Sequence, residues 1–182
     1  MEKVQAYLVD SRIVVFDVER GKELYRRGFF GKFVGIRKVK TLDIERPLEL
    51  TPFEALYLAE RGILTLRRLD GREVSVEELR DVCRKSYERF DEAYAVYADL
   101  REKGYVVRSG MKFGATFAVY EHGPGIDHAP FLVHVLPYES KLDPVEIVRA
   151  GRLSHSVRKK FVIATVHPIT KSPEYYALKW FE

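Results

Sequence analysis

A mixed α/β architecture in two small domains, residues 1–80 and 81–182, is what the sequence predicts, on three observations. The 182 residues are 46% hydrophobic and 13% aromatic, enough for packed cores in one large domain or two small ones. Two helix-start signals, Thr51-Pro52-Phe53-Glu54 and Ser75-Val76-Glu77-Glu78, are interleaved with short β-rich runs rather than with further helices. The pattern then restarts between residues 75 and 88 and a strand-rich half follows, which sets the division there.

Taken in order, residues 4–9 and 12–18 read as two β runs joined across Asp10-Ser11 as a hairpin. Glu19-Arg20-Gly21-Lys22 reads as a turn, Phe29 to Ile36 as another strand, and Arg37 to Pro47 as an exposed, basic loop. Pro52 at the first helical position opens a helix that Gly62 closes. Ile63 to Leu66 is a short strand and Asp70-Gly71 a turn. The helix begun at Ser75 runs, with a break, to Gly104. Tyr87, Phe90, Tyr94, Tyr97 and Leu100 form a stripe whose ordinary role is packing. Tyr105 to Val107, Met111 to Val119 and Phe131 to Leu136 read as strands, and Asp143-Pro144 caps a further helix. Phe161 to Val166 and Tyr175 to Trp180 are the last strands. There is no internal repeat.

Composition narrows the function classes. The single cysteine, Cys83, excludes an internal disulfide and a multi-cysteine zinc site, and is expected as a buried apolar residue in a reducing compartment. No apolar run approaches the roughly 18 residues of a membrane span, and the first residues lack a signal-peptide pattern, so a cytoplasmic protein without membrane contact is expected. With no Asn, one Gln and 32% charged residues, the profile suits a thermophilic source. The net charge is only +4, so a polyanion site must be a local patch. Two patches exist. Glu19 to Lys40 carries eight Lys or Arg against two Glu, and Ile147 to Pro173 carries Arg149, Arg152, Arg158, Lys159, Lys160 and Lys171 with no acidic residue.

Within the second patch, Gly151 to Lys160 wound as a helix places Arg152, His155, Ser156 and Lys159 on one face and Leu153 and Val157 on another. A solvated face is the ordinary reading of such a run. Phosphate loops, nucleophile elbows and paired-histidine metal helices are absent. What remains is Tyr120 at a strand end, followed by Glu121-His122-Gly123-Pro124-Gly125-Ile126-Asp127-His128. The Gly-Pro-Gly turn lets His128 return beside Tyr120, so that Tyr, His and the basic stretch converge at one sheet edge. Asp127 with Glu139 and Lys141 also mimics an acidic residue followed by Glu-x-Lys, the pattern of a Mg²⁺-dependent nuclease.

The ordered motifs Lys112-Phe113-Gly114-Ala115 leading to Tyr120, then His128, then His155-Ser156-Val157-Arg158-Lys159-Lys160 resemble the catalytic subunit of archaeal tRNA-splicing endonucleases, most strongly over residues 96–182. The resemblance implies a nuclease-like mixed sheet in the C-terminal domain and a catalytic triad of Tyr120, His128 and Lys159. It implies metal-independent cleavage of precursor tRNA at bulge-helix-bulge junctions, giving 2′,3′-cyclic phosphate and 5′-hydroxyl ends with no cofactor. Arg152 falls where the family stacks an arginine on a flipped base, with Tyr175 or Trp180 as possible second members; Arg158 and His155 are phosphate contacts or neighbours. His128 is followed by Ala129-Pro130 where the family commonly has Ser, which leaves His122 and His134 as rivals. The loop His167 to Pro173 lacks the acidic residues by which family members dock into a neighbour. Arg37 to Arg46 looks like the lysine-bearing extra loop of members that pair catalytic with structural subunits, so a two-plus-two heterotetramer is expected, with Lys38 or Lys40 reaching RNA. A non-catalytic RNA-binding subunit is the alternative of another class.

The chemistry accounts for such a triad. Cleaving RNA through its own 2′-hydroxyl requires a group to take that proton, one to protonate the leaving 5′-oxygen, and a fixed cation for the charge on phosphorus. Tyr, His and Lys fill those roles in that order, His because it titrates near working pH. Tyr, at about 10, is an awkward base. Lys159 is therefore expected to favour its phenolate, or Tyr120 to orient the nucleophile.

Overall fold

The computed structural model describes residues 3–145, 147–148, 151–152 and 159–178, with side chains as far as residue 177. The chain divides into two compact units, Met1–Phe90 and Asp91–Glu182.

In the first unit the hairpin across Asp10 and Ser11 forms: β1 (Val4–Val9) pairs antiparallel with β2 (Arg12–Val15). Alternation along β1 buries Val4, Ala6 and Leu8, as one inward face requires. Glu19 to Lys22 is not a turn but lies in helix α1 (Val18–Gly28), capped by Asp17, whose carboxylate accepts from the Arg20 amide at 3.0 Å. Gly21 is there because of packing: a Cβ on it would stand 3.0 Å from the Leu48 Cβ. The strand expected over Phe29 to Ile36 shrinks to β3 (Lys32–Phe33). Residues 37–47 form no helix or strand. That loop is held near its end, where Ile44 is buried and the Glu45 carboxylate accepts from the buried Lys22 ammonium at 3.0 Å, Glu19 accepting at 2.7 Å.

After β4 (Leu48–Leu50), Thr51 opens α2 (Pro52–Glu60) with both arms of the capping box present. Glu54, 2% exposed, accepts from the Thr51 amide and hydroxyl and from the Gly31 amide at 2.8–2.9 Å. β5 (Leu64–Arg68), β6 (Glu73–Val74) and α3 (Val76–Ser86) complete the unit. The strand order is β3-β4-β2-β1-β5-β6, with only β1 and β5 parallel. At α3 the Ser75 hydroxyl accepts from the Glu78 amide, but the Glu78 carboxylate binds Arg68 and Arg72 instead of closing the box. α3 carries the chain past residue 80. Cys83 on it is buried, its thiol pushed up to about 12 by burial.

The break in the long helical pattern falls at residues 87–89, before α4 (Phe90–Glu102). Of the aromatic stripe, Phe90, Tyr94, Tyr97 and Leu100 are buried, while Tyr87 is partly exposed with its ring on Phe53. The second unit's sheet consists of β7 (Val106–Ser109), β8 (Phe117–Tyr120), β9 (Phe131–Val135), β10 (Lys160–Val166) and β11 (Pro173–Leu178), in the order β11-β10-β9-β8-β7. Neighbours are antiparallel except β9 and β10, which are parallel. The strand expected over Met111 to Val119 begins only at Phe117. Met111–Phe113 is a 3-10 turn between Gly110 and Gly114, and a Cβ on Gly110 would meet the Phe117 backbone at 2.7 Å. Asp143 caps the next segment, its carboxylate accepting from the Val145 amide at 2.8 Å, and residues 144–145, 147–148 and 151–152 are helical. Of the amphipathic helix expected over Gly151 to Lys160, residues 151–152 are helical, Lys159 is not, and Lys160 opens β10, whereas residues 153–158 lie outside the described residues.

Candidate active site

Tyr120, the loop that carries His128, and Lys159 lie at the same end of the central strands β8, β9 and β10, joined by a chain of short links. Tyr120 ends β8, and its half-buried ring packs against the small cluster of Ala115, Ala118, Ala129 and Leu132. The next residue, Glu121, donates its amide to the Asp127 carboxylate at 3.0 Å. The same carboxylate accepts from the amides of His122 at 3.2 Å and Gly123 at 2.7 Å. His128 follows Asp127 and is exposed. Ala129 follows His128; it is buried, and its carbonyl accepts from the Lys159 ammonium at 2.6 Å. One residue on, the Lys160 amide donates to the Pro130 carbonyl at 2.8 Å. The parallel pairing of β10 with β9 thus delivers Lys159 to the loop that carries His128.

The electrostatics set the three apart. Burial pushes the Tyr120 phenol above its ordinary value, with Arg108 opposing and Asp127 adding. The cation that favours its phenolate is Arg108 on β7, not Lys159, and the net effect leaves Tyr120 a poor base. Lys159 is lowered by burial and then by repulsion from Lys112, against the attraction of Asp127. Both ammonium groups border one ring: Lys159 lies 5.3 Å and Lys112 5.5 Å from the Phe113 centroid.

The rival histidines are placed differently. His134 sits within β9 with its ring stacked on Phe161, centroids 6.4 Å apart. His122 is exposed, and its backbone belongs to the Asp127 clasp. The Asp127, Glu139 and Lys141 pattern is not gathered into a metal cluster among the described residues. Asp127 is committed to three backbone amides, Glu139 and Lys141 are exposed, and no group of three metal-capable side chains occurs among the described residues. Arg152 is exposed in a helical turn, and Lys38 and Lys40 are exposed in the first unit's loop. The Tyr175 hydroxyl donates to Asp99 at 2.6 Å and its ring is half-buried. Arg158, His155 and Trp180 lie outside the described residues.

Sequence reasoning missed Arg108 and the partners of Asp127, and it named Lys112 only as part of a motif. Arg108 had a weak signal, since β-alternation relates it to Val106, which lies opposite Tyr120 in the antiparallel pair.

Residues 4–80 match the family model of the tRNA intron endonuclease N-terminal domain, and residues 90–172 that of the tRNA intron endonuclease catalytic C-terminal domain. Among similar proteins, a tRNA-splicing endonuclease of Hyperthermus butylicus is 50% identical over 177 residues, covering 97% of this chain and 98% of its own. One of Pyrobaculum aerophilum is 50% identical over 163 residues, covering 88% and 89%. One of Saccharolobus islandicus is 43% identical over 178 residues, covering 97% and 98%.

Proposed function

Because this chain belongs to the tRNA intron endonuclease family, we propose that it cuts precursor tRNA at bulge-helix-bulge junctions by attack of the substrate's own 2′-hydroxyl. The bond from O2′ to phosphorus forms as that from phosphorus to O5′ breaks, leaving a 2′,3′-cyclic phosphate and a 5′-hydroxyl. His128 donates the proton to the departing O5′, and its exposure supports that role. Lys159 stabilises the charge gathering on the phosphoryl oxygens. Tyr120, its phenol pushed up by burial, orients the 2′-hydroxyl, and the proton of that hydroxyl passes to solvent water as O2′ bonds to phosphorus. The observation that carries this reading is the run of links from Tyr120 through the Asp127 clasp to His128, Ala129 and the Lys159 ammonium.

Arg152 and Arg158 are assigned to the flipped base and its phosphates, and Lys38 and Lys40 to the RNA backbone. Lys38→Ala with Lys40→Ala weakens binding across junction sequences and lowers the salt dependence of KM by about two charges. The chain assembles with a structural subunit, two of each, since His167 to Pro173 carries no carboxylate for docking into a second copy. Light scattering tests this: a homotetramer active by itself would rule it out. Among the described residues no helix is long and apolar enough to cross a membrane, and the proposed site of action is the cytoplasm.

The deciding experiment is cleavage of a bulge-helix-bulge RNA in excess EDTA, with and without a structural subunit, with end-group analysis. Cyclic phosphate and 5′-hydroxyl ends, lost in His128→Ala, are expected. Cleavage that requires Mg²⁺ and leaves 5′-phosphates would overturn the mechanism.

A further inference from the structure

The loop between Tyr120 and His128 has little of its own to hold it. Gly123-Pro124-Gly125 fixes no side chain in a core, and Ile126 is 69% exposed. Within the loop the backbone closes a tight turn, with the amides of Ile126 and Asp127 both donating to the Gly123 carbonyl at 3.1 Å, and an isolated bridge between Pro124 and Asp127. Asp127 is the side chain that reaches across the loop. One carboxylate oxygen accepts from Gly123, the other from Glu121 and His122. These donors begin immediately after Tyr120, and the acceptor stands immediately before His128. Beyond it, Ala129 is buried and fastened to Lys159.

Building on the proposed function, we infer that Asp127 is a positioning residue, whose clasp on the amides of residues 121–123 fixes the placement of His128 relative to Tyr120. It touches no substrate; it acts through His128. A general acid must stand within hydrogen-bond reach of the leaving oxygen, and a misplacement of about 1 Å is enough to cost on the order of 100-fold in rate. Asparagine has the same shape but replaces one acceptor oxygen with an NH₂ that faces an amide donor, so part of the clasp must open.

The test compares wild type, Asp127→Asn, Asp127→Ser, His128→Ala and the double variant Asp127→Asn/His128→Ala as full chains with the structural subunit. Single-turnover kcat and KM on a bulge-helix-bulge RNA are measured, together with amide exchange at residues 121–123. Asp127→Asn is expected to lower kcat roughly 10–100-fold with KM within about twofold. Asp127→Ser, which keeps one acceptor, falls between it and wild type. Adding Asp127→Asn to His128→Ala costs nothing further, because the group being positioned is gone. Exchange at 121–123 rises in Asp127→Asn. Wild-type kcat in Asp127→Asn, a full additional loss in the His128→Ala background, or unchanged exchange each overturns the inference. A fully active His128→Ala overturns the catalytic assignment by itself, and the clasp is then judged on amide exchange alone.

Discussion

The ammonium of Lys159 donates a 2.6 Å hydrogen bond to the carbonyl of Ala129, the residue that follows His128. A side chain expected to act on phosphate therefore also fastens the loop that carries the acid.

Removing Lys159 should do two things at once. Lys159→Met loses the cation and leaves the Ala129 carbonyl without its ammonium, so kcat drops by roughly 100–1000-fold and amide exchange at residues 128–130 rises. Lys159→Arg keeps the charge on a planar, bulkier head and recovers only part of the rate. Lys159→Met with unaltered exchange would show that the fastening is incidental.

The pH dependence should respond to a residue that touches neither His128 nor Tyr120. Burial and then Lys112 lower the Lys159 ammonium, so the protonated form that catalysis needs is lost at a lower pH than for an ordinary lysine. Lys112→Met removes the repulsion, and the alkaline limb of kcat moves to higher pH. Lys112 is exposed, so the difference shrinks in about 1 M salt, where the Debye length is about 3 Å. Rate profiles at two ionic strengths check both statements, and an alkaline limb moving downward contradicts them.

Asp127 should make the site acid-resistant. Burial acts to raise its carboxyl, but the amides of Gly123, His122 and Glu121 together hold it below its ordinary value. A depressed carboxyl contributes stability above its unfolded pKa and loses it as pH falls through the folded one. Loop protection at residues 121–123 therefore persists below about pH 3.9, the ordinary aspartate value, and disappears only at lower pH. Exchange measured as a function of pH reads this directly; loss of protection near pH 5 contradicts it.

In the first unit, Thr51→Ala should cost about 1 kcal/mol, the ordinary contribution of a cap. Glu54→Leu should cost more, about 3 kcal/mol, because it leaves the buried Gly31 amide without its acceptor and also removes the Glu54 arm of the Thr51 cap. Denaturant midpoints of the two variants decide the order. Equal losses would mean that the Gly31 contact contributes nothing.

The sequence made some elements legible because their signals are local. Thr51, Ser75 and Asp143 each announce a helix by a side chain that meets an amide two or three residues on, and the Asp10-Ser11 turn announces β1 and β2. α1 was hidden by Gly21, which reads as a turn residue, whereas its real constraint is the Leu48 side chain 27 positions later in the chain. Gly110 and Gly114 likewise concealed a 3-10 turn within what looks like one strand. At the site, Tyr120, His128 and Lys159 were named by motif. The placement of Arg108 near Tyr120 depends on the β7–β8 register, and the commitment of Asp127 to three amides depends on how the Gly123-Pro124-Gly125 loop folds back on itself, which residue type alone does not encode. Those three amide donors weigh against the metal-ligand reading of Asp127.

The one parallel pair in the second sheet also bears on when the enzyme becomes an enzyme. β7, β8 and β9 are consecutive antiparallel neighbours, whereas Lys159 meets Ala129 only after a 30-residue excursion has closed, and such closures form later than neighbouring hairpins. A refolding chain should regain most of its β-sheet signal before it cuts any RNA; activity recovering in step with the earliest sheet signal would refute this. The assembly line of the fold thus keeps a ribonuclease disarmed until its last long-range strand pairing is in place.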